Sequence, residues 1–427
     1  MPAPRMLPTR RDFLKTSAVS TAAILAQAGF VHAAGSDQVK VGVIGCGGRG
    51  LGAAMNCSQA DPAVVIWALG DVFEERMKGA CAEGDAGLAQ LGPRFQVPPE
   101  RRFTGFDAYK GVLATDCDLV ILATPPHFRP IHFAAAVEAG KNIFFEKPVA
   151  VDAPGVRRVI EASKAAAAKK LAVVTGTQRR HQTPYLELMK RVHDGAIGSI
   201  TALEASWMQG GLWMHKREPQ WSDMEWQLKN WLYFTWLSGD HIVEQHVHNI
   251  DVCNWAMDAH PIAAVGMGGR QVRTDAAYGH IFDHFSIAFE YANGVKMHSV
   301  CRQIDGCAGG VFERVVGSKG VAEAWAGGGI GIRGENTWDW EGDATDPYVQ
   351  EHIDLIASIR SGKPLNEGVR IAESTLTAIM GRMSAYTGRA IKWDEALNSK
   401  EDLSPATYAM GSIPTPPVPM PGKTQFS

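Results

Sequence analysis

The sequence has no block of basic residues in the body of the chain, and its charges of both signs are scattered. Its 42 Lys and Arg residues stand against 45 Asp and Glu residues, so the net charge is −3. A chain without a basic stripe lacks the electrostatic footprint of a nucleic-acid-binding protein. We therefore expect no nucleic acid among its partners.

Metal-type cysteine pairs and long apolar runs are also missing. None of the seven cysteines forms a CxxC pair, and several fall in predicted strands or helices. They are interpreted as small buried hydrophobic residues, not as metal ligands or a disulfide framework. The apolar run Ala18–Ala28 is much shorter than the ~20 residues of a membrane span. We expect no stable membrane anchor.

Residues 1–34 have the three parts of a bacterial export signal: a charged start, a short apolar core and a small-residue exit. The paired Arg10 and Arg11, followed by Phe13-Leu14-Lys15, resemble the twin-arginine signal, whose pathway exports folded proteins. The sequence thus predicts a periplasmic or otherwise exported protein that meets the twin-arginine machinery. The alternative is a disordered basic leader.

From Val39 onward, apolar strands alternate with helices of about ten residues, as in a parallel, doubly wound sheet. After Pro148 a helix is followed by longer alternating strands between 200 and 326, and short turns such as 291–294 indicate antiparallel pairing. One helical run is predicted over 349–385. We predict an α/β protein with four regions: 1–34, signal peptide; 35–152, Rossmann domain; 153–412, substrate domain; 413–427, Pro-rich tail along the surface or a partner subunit.

A G-x-G-x-x-G turn lies between the first strand and the helix that follows it. It consists of Gly45, Cys46, Gly47, Gly48, Arg49 and Gly50. Its glycines allow a tight turn, close approach of a pyrophosphate and close helix packing, and the pyrophosphate lies at the positive end of the helix. In this strand-turn-helix context the motif predicts a dinucleotide site.

Asp71 ends the second predicted strand, 26 residues after Gly45. A carboxylate there accepts hydrogen bonds from the adenosine ribose and repels a 2′-phosphate, which favours NAD over NADP. Asp71 is also suited to cap the next helix, and the two roles are compatible.

Two further segments carry a family resemblance. Residues 118–127 read Asp-Leu-Val-Ile-Leu-Ala-Thr-Pro-Pro-His, and residues 144–151 read Phe-Phe-Glu-Lys-Pro-Val-Ala-Val. Together with the glycine turn they resemble the Gfo/Idh/MocA family of oxidoreductases. The resemblance implies a Rossmann domain joined to a C-terminal α+β domain with an open-faced, mainly antiparallel sheet. It also implies a substrate held between that sheet and the nicotinamide.

Lys147 is the residue that this resemblance places in the cleft, after Glu146 and before Pro148. An ammonium beside the reacting carbon can hydrogen-bond the substrate oxygen and stabilise its alkoxide character. By the same resemblance, Thr124, Pro125 and His127 line the nicotinamide side.

Residues 239–251 contain Glu244 and His248, four positions apart and therefore on one face of a continuous helix. The family carries Asp and His at this spacing, with His as general acid/base, so Glu244 here and His246 in place of Gly are departures. We expect His248 to titrate near neutrality with Glu244 orienting its ring. His241 and His246 are further candidates for the substrate side. The alternative interpretation of these three histidines and Glu244 is a metal site. We predict no bound metal, because His246 points away from the helical face that carries Glu244 and His248.

Seven of the twelve tryptophans fall between 207 and 255. Flat aromatic rings stack on sugar C–H faces, and they are equally common in cores and interfaces. Trp213 and Trp231 are our candidates for substrate contact, and the resemblance adds Arg180.

The leading functional prediction is an NAD-dependent oxidoreductase acting on a hydroxyl carbon of a sugar, polyol or glycoside, in a homo-oligomer. The alternative is a redox-neutral, NAD-dependent glycosidase or lyase that passes through a keto-sugar. A third possibility is a non-catalytic sugar-binding protein, against which the presence of Lys147, Glu244 and His248 argues.

Overall fold

The first domain is built around a parallel six-stranded sheet. The structure, a computed structural model, describes residues 38–82 and 87–425, so the expected export signal lies outside it. The strands are β1 (Val39–Ile44), β2 (Val64–Asp71), β3 (Arg102–Thr104), β4 (Leu119–Leu122), β5 (Asn142–Phe145) and β6 (Val173–Thr175). The helices between them are α1 (Gly48–Ala60), α2 (Glu74–Ala80), α3 (Ala108–Leu113), α4 (Arg129–Glu138) and α5 (Ala153–Ala168).

The strand order β3-β2-β1-β4-β5-β6 is that of a Rossmann fold and confirms the predicted class. Strand β4 is buried throughout, as are most positions of β1, because helices cover both faces of the sheet. The order reverses between β1 and β4, so the chain segments that leave these two strands flank a crevice at their carboxyl ends. The glycine turn lies there.

The parallel sheet continues beyond residue 152, where we expected the domain to end. Helix α5 and strand β6 form its last unit, and β6 pairs in parallel with β5. The change in sequence character at Pro148 therefore marks the loop and helix that connect β5 to β6, not the end of the sheet.

The second domain is a nine-stranded sheet in the order β14-β13-β12-β11-β7-β10-β9-β8-β15. Only β7 and β10 pair in parallel; the other neighbours are antiparallel, which confirms a mixed, mainly antiparallel sheet. Val265 and Met267, both on β8, are 57% and 74% exposed, so that side of the strand is open. The strands are β7 (Ile200–Gln209), β8 (Ala263–Gly269), β9 (His284–Glu290), β10 (Lys296–Gln303), β11 (Gly310–Gly317), β12 (Gly320–Trp325), β13 (Ile330–Gly334), β14 (Trp338–Asp339) and β15 (Ile391–Lys392).

Helices cover one side of the second sheet and extend to the first domain. They are α6 (Thr183–His193), α7 (Asp223–Lys229), α8 (Thr235–Ser238), α9 (His241–Glu244), α10 (Val247–Met257), α11 (Pro347–Arg360), α12 (Gly368–Thr387) and α13 (Trp393–Leu397). The prediction of one helix over 349–385 was wrong. It is broken between α11 and α12, where Gly362 has a φ of 65° and Pro364 lacks the N–H that a continuing helix needs.

The C-terminal segment lies along the surface of its own chain. The Gly411 carbonyl accepts a hydrogen bond from Met224 N–H at 3.0 Å, and Gly422 N–H donates to the Thr387 carbonyl at 2.8 Å. Among the described residues, no helix combines the length and apolar character that a membrane span requires.

Candidate functional site

A cavity of about 740 Å³ opens at the carboxyl edge of the parallel sheet and extends to the second domain. Ligand sites commonly have volumes of ~300–1,000 Å³. Many of the predicted site residues share its wall, and their roles remain predictions. They are Gly45, Gly47, Gly48, Arg49, Asp71, Thr124, Pro125, Glu146, Lys147, Trp213, Trp231, Glu244 and His248.

The glycine turn fits the pyrophosphate of a dinucleotide. Gly45 has a φ of 96°, and a Cβ there would lie 2.7 Å from the Ala123 carbonyl carbon. A Cβ on Gly50 would lie 1.8 Å from the Gly45 oxygen, whereas nothing lies within 4 Å of one on Gly48. No side chain caps α1 at Gly47, so the N–H groups of its first turn are available to an anion.

Asp71 holds the glycine turn and also lines the cavity. Its carboxylate accepts hydrogen bonds from Cys46 N–H at 2.7 Å and Phe73 N–H at 2.9 Å. It does not cap α2, which begins at Glu74. Burial raises its pKa in spite of these hydrogen bonds. Each carboxylate oxygen has a second lone pair, so both can still accept from a ribose hydroxyl. Cys46 contributes only its backbone here, because its side chain is buried.

Arg49 ties the glycine turn to two carboxylates. Its guanidinium forms ion pairs with Glu146 and, at 3.0 Å, with Glu351 of α11. The guanidinium carbon lies 4.9 Å from the ring centroid of Tyr348. Sequence reasoning missed Glu351 and Tyr348 because they lie about 300 residues further along the chain.

Lys147 projects into the cavity, directly after β5. Its ammonium donates to the Glu244 carbonyl at 2.8 Å and lies 4.0 Å from Glu244 Oε2. Its own N–H donates to Glu146 Oε2 at 3.2 Å, so the Arg49–Glu146 pair also orients the lysine backbone. Burial lowers the pKa of Lys147, and the charges of Glu244 and Glu146 oppose this.

Glu244 and His248 do not form the pair that their spacing predicts. Glu244 ends α9 and His248 lies in α10, so the helical face assumed between them is interrupted at Gln245 and His246. The Glu244 carboxylate faces Lys147, and no side chain among the described residues hydrogen-bonds the His248 ring. Burial, followed by the charges of Lys147 and Arg179, lowers the pKa of His248 well below its usual value. The expectation that His248 titrates near neutrality, with Glu244 orienting its ring, is therefore wrong.

Aromatic residues of the second domain, Trp213 and Trp231, contribute to the cavity wall. The ring centroids of Trp213 and Trp231 lie 6.5 Å apart, and Trp213 is 44% exposed. Tyr233 Oη donates to the Trp213 carbonyl at 2.7 Å, and the side chain of Asn230 hydrogen-bonds both backbone groups of His215. The loop that carries Trp213 is thus fixed at the edge of the cleft.

Comparison with known proteins matches both halves of the chain to one family. Residues 39–176 match the family model described as "Oxidoreductase family, NAD-binding Rossmann fold", and residues 185–323 match "GFO/IDH/MocA C-terminal domain". The chain belongs to the Gfo/Idh/MocA family of oxidoreductases. It is an enzyme with an NAD-binding Rossmann domain.

Relatives of this Gfo/Idh/MocA member include inositol 2-dehydrogenase 3 of Saccharopolyspora erythraea, 27% identical over 76% of this chain and 87% of that protein. An oxidoreductase domain protein from Kribbella flavida has a similar fold, with a TM-score of 0.68 at 17% identity, covering 84% of this chain and 99% of the other. KijD10, a 3-ketoreductase from Actinomadura kijaniata crystallised with NADP, has a TM-score of 0.60 at 17% identity, covering 79% and 95%.

His127, His241 and His246 do not reach the cavity. His127 Nε2 shares a hydrogen bond of 2.8 Å with Tyr408 Oη, and burial lowers its pKa to about 4. His241 is buried edge-on against Phe285, and His246 Nε2 shares a hydrogen bond of 2.8 Å with Ser299. The three histidines of 241–248 thus point to different surroundings. No group of three or more His, Cys, Asp or Glu residues suited to a metal occurs in the described part of the chain.

Arg180 is also buried away from the cavity. Its guanidinium donates to both Asp251 carboxylate oxygens, at 2.7 and 2.9 Å, so it stabilises the interior of the second domain. The neighbouring Gln178 lines the cavity instead.

Arg129 is a further cavity residue that sequence reasoning missed. Its guanidinium donates to the carbonyls of Thr124 at 3.0 Å and Pro148 at 2.6 Å, and so holds together the loops after β4 and β5. Neither Gln178 nor Arg129 has a sequence signal other than its position after a strand of the parallel sheet.

Proposed function

We propose that the enzyme is an NAD-dependent dehydrogenase that oxidises a hydroxyl-bearing carbon of a sugar, polyol or glycoside, or reduces the corresponding ketone. The observation that carries this proposal is one shared cavity. Its lining includes residues of the glycine turn together with Lys147, Glu244 and His248. A dinucleotide and a small alcohol can therefore meet beside an ammonium group and a carboxylate.

The residues of this chain supply binding, orientation and charge. When bound, the nicotinamide supplies the acceptor for the hydrogen and electron pair of the substrate C–H bond. Lys147 lies in the wall with its ammonium 4.0 Å from Glu244 Oε2, where it can donate to the substrate oxygen. A buried ammonium stabilises developing alkoxide charge more strongly than one in water, because the surrounding dielectric is low.

The substrate class is supported by two tryptophans of the cavity wall and by the relatives. Trp213 and Trp231 offer flat faces to the C–H groups of a ring. The relative at 27% identity is named an inositol 2-dehydrogenase, which is a polyol oxidoreductase. Such names favour net dehydrogenation over the redox-neutral glycosidase alternative.

We also propose NAD as the preferred dinucleotide. The buried carboxylate of Asp71 stands at the end of β2, where it favours a free ribose hydroxyl over a 2′-phosphate. Arg76 opposes this preference, because its Nη1 would lie 3.0 Å from a Cβ on Gly47 and a guanidinium there attracts a phosphate.

Export through the twin-arginine pathway is a separate proposal, supported by Arg10, Arg11 and the apolar segment after them. Its test is cell fractionation of the full chain and of an Arg10→Lys/Arg11→Lys variant. The variant should remain in the cytoplasm, whereas equal periplasmic amounts of both proteins would refute the proposal.

The activity is tested by incubating the purified protein with NAD and a panel of cyclitols, aldoses and aryl glycosides. We expect NADH to form with at least one free polyol or sugar, and Lys147→Ala to abolish the signal while still binding NAD. Release of the aryl group without net NADH would instead favour the glycosidase alternative.

A further inference from the structure

Oxidation of an alcohol requires a group that takes the hydroxyl proton, and two side chains beside Lys147 are placed to do so. We propose that the Glu244 carboxylate is this proton acceptor, and that His248 remains neutral and only hydrogen-bonds the substrate. This inference rests on the proposed function and assigns roles within that same site.

The Lys147 ammonium and the Glu244 carboxylate are spaced to hold one substrate oxygen between them. The ammonium is fixed by the Glu244 carbonyl at 2.8 Å, and Oε2 of the same residue lies 4.0 Å away. Lys147 Nζ and Glu244 Oε2 are therefore close enough for one substrate oxygen to lie ~2.8 Å, a hydrogen-bond distance, from each of them. A hydroxyl bound there would accept from Lys147 and donate to Glu244 through one oxygen.

The Glu244 carboxylate retains lone pairs that can accept a further hydrogen bond. Its close neighbour is the side-chain amide of Gln245, whose nitrogen lies 3.2 and 3.3 Å from the two carboxylate oxygens when it is oriented to donate. The charged groups that face it are Lys147, Arg129 and Glu146. Burial raises the pKa of Glu244, and the two cations only partly oppose this. Such a carboxylate is a stronger base than an exposed one.

The surroundings of His248 disfavour its protonated form. Its ring stacks on Trp207 at 6.0 Å, and no carboxylate among the described residues contacts it. The charged and titratable groups that face it are Lys147, Arg179, Arg49 and His246. A protonated His248 ring would add a further positive charge beside Lys147, Arg179 and Arg49. Burial of that charge in a medium of low dielectric costs free energy. The neutral ring can still donate or accept one hydrogen bond.

The step balances within the site. The hydroxyl O–H bond breaks and its proton goes to Glu244, while the C–H bond breaks and its hydrogen and electron pair pass to the oxidised nicotinamide. A C=O bond forms, so the products are the ketone and the reduced dinucleotide. Glu244 then releases its proton to solvent when the ketone leaves.

The test compares pH profiles of turnover for the wild type, Glu244→Gln, Glu244→Asp and His248→Gln. Because the acceptor must be ionised, wild-type oxidation should fall as the pH drops through the raised pKa of Glu244. Glu244→Gln should lose at least ~10²-fold in turnover together with this acid limb. Glu244→Asp and His248→Gln should retain the acid limb of the pH profile. Glu373→Gln is the matched control, since Glu373 also has a raised pKa but lies outside the cavity wall, and it should behave as wild type.

A second measurement does not depend on turnover. The infrared difference between wild type and Glu244→Gln should contain a protonated-carboxyl band that persists above the ordinary glutamate pKa and disappears as the pH rises through the raised pKa of Glu244. Calorimetry should find NAD binding intact in both proteins. An acid limb that survives Glu244→Gln but vanishes in His248→Gln or Lys147→Met would overturn the proposal, as would the absence of that band. If the wild type oxidises none of the polyols or sugars, the proposed function fails, while the infrared titration still reports on Glu244.

Discussion

Replacing Arg49 by Met should destabilise the fold in a pH-dependent way. Met keeps much of the length of the side chain but removes the charge that pairs with Glu146 and Glu351. These carboxylate side chains are only 5% and 0% exposed, so the substitution leaves two buried negative charges without their shared cation. Breaking a fully buried pair costs ~3–5 kcal/mol. Because Arg49 is itself 35% exposed and partly screened, we expect a loss of about 2–4 kcal/mol.

The sign of the pH dependence follows from Glu351. Burial and the charge of Glu146 already raise its pKa well above the usual value, while Arg49 lowers it. In Arg49→Met the pKa of Glu351 in the folded state should therefore rise further above that of the unfolded chain. A group with a raised folded-state pKa loses stabilising free energy as the pH rises through that pKa. The penalty should be largest at neutral and alkaline pH, and should shrink as acid protonates the carboxyl.

The assay is denaturant unfolding followed by tryptophan fluorescence, at mildly acidic and at neutral pH. Arg333→Met is the matched control, because the side chains of its ion pair with Asp339 are 57% and 50% exposed, so that solvent screens the two charges and the substitution should change the stability little. If Arg49→Met is no more destabilising than this control, or if its penalty grows on acidification, the account of the Arg49 network is wrong.

Three further substitutions test the cleft. Lys147→Ala should lower turnover at least ~10²-fold while leaving NAD binding nearly intact, and turnover within a few-fold of wild type would exclude its role. Asp71→Ser should narrow the preference for NAD over NADP in calorimetric titrations, and an unmodified protein that prefers NADP would defeat this assignment. Gly50→Ala should abolish NAD binding or folding, because the added Cβ would lie 1.8 Å from the Gly45 oxygen. Gly52→Ala on the same helix is the control and should bind NAD normally, because only Arg49 Nη1 lies within 4 Å of its added Cβ. Equal NAD affinities of the two alanine variants would contradict the geometry.

The parallel sheet was the most predictable part of the fold because its strands, apart from the short edge strand β3, are short apolar runs that are largely buried. The alternation of strands and helices was expected from Val39 onward, and β1 begins at that residue. The prediction of one helix over 349–385 was wrong because the apolar periodicity continues across the break. The break itself depends on Gly362 and Pro364.

The candidate site was predictable where it depends on backbone geometry directly after a strand. The glycine turn, Thr124, Pro125 and Lys147 all follow strands of the parallel sheet, and all of them line the cavity except Cys46 and Gly50 of the turn. Helical spacing was a poor guide at 241–248, because the chain bends between α9 and α10 and separates Glu244 from His248. Arg180 could not be placed from sequence because its partner, Asp251, lies 71 positions away.

The central claim is that hydrogen passes between a carbohydrate carbon and the nicotinamide in the cavity that contains Lys147 and Glu244. The most direct test incubates the purified protein with NAD and a panel of carbon-deuterated cyclitols and aldoses, followed by mass spectrometry of the dinucleotide. We predict that at least one substrate yields deuterium-labelled NADH, and that Lys147→Ala yields almost none. A dinucleotide that stays oxidised and unlabelled with every member of the panel, or equal labelling by wild type and Lys147→Ala, would contradict the account.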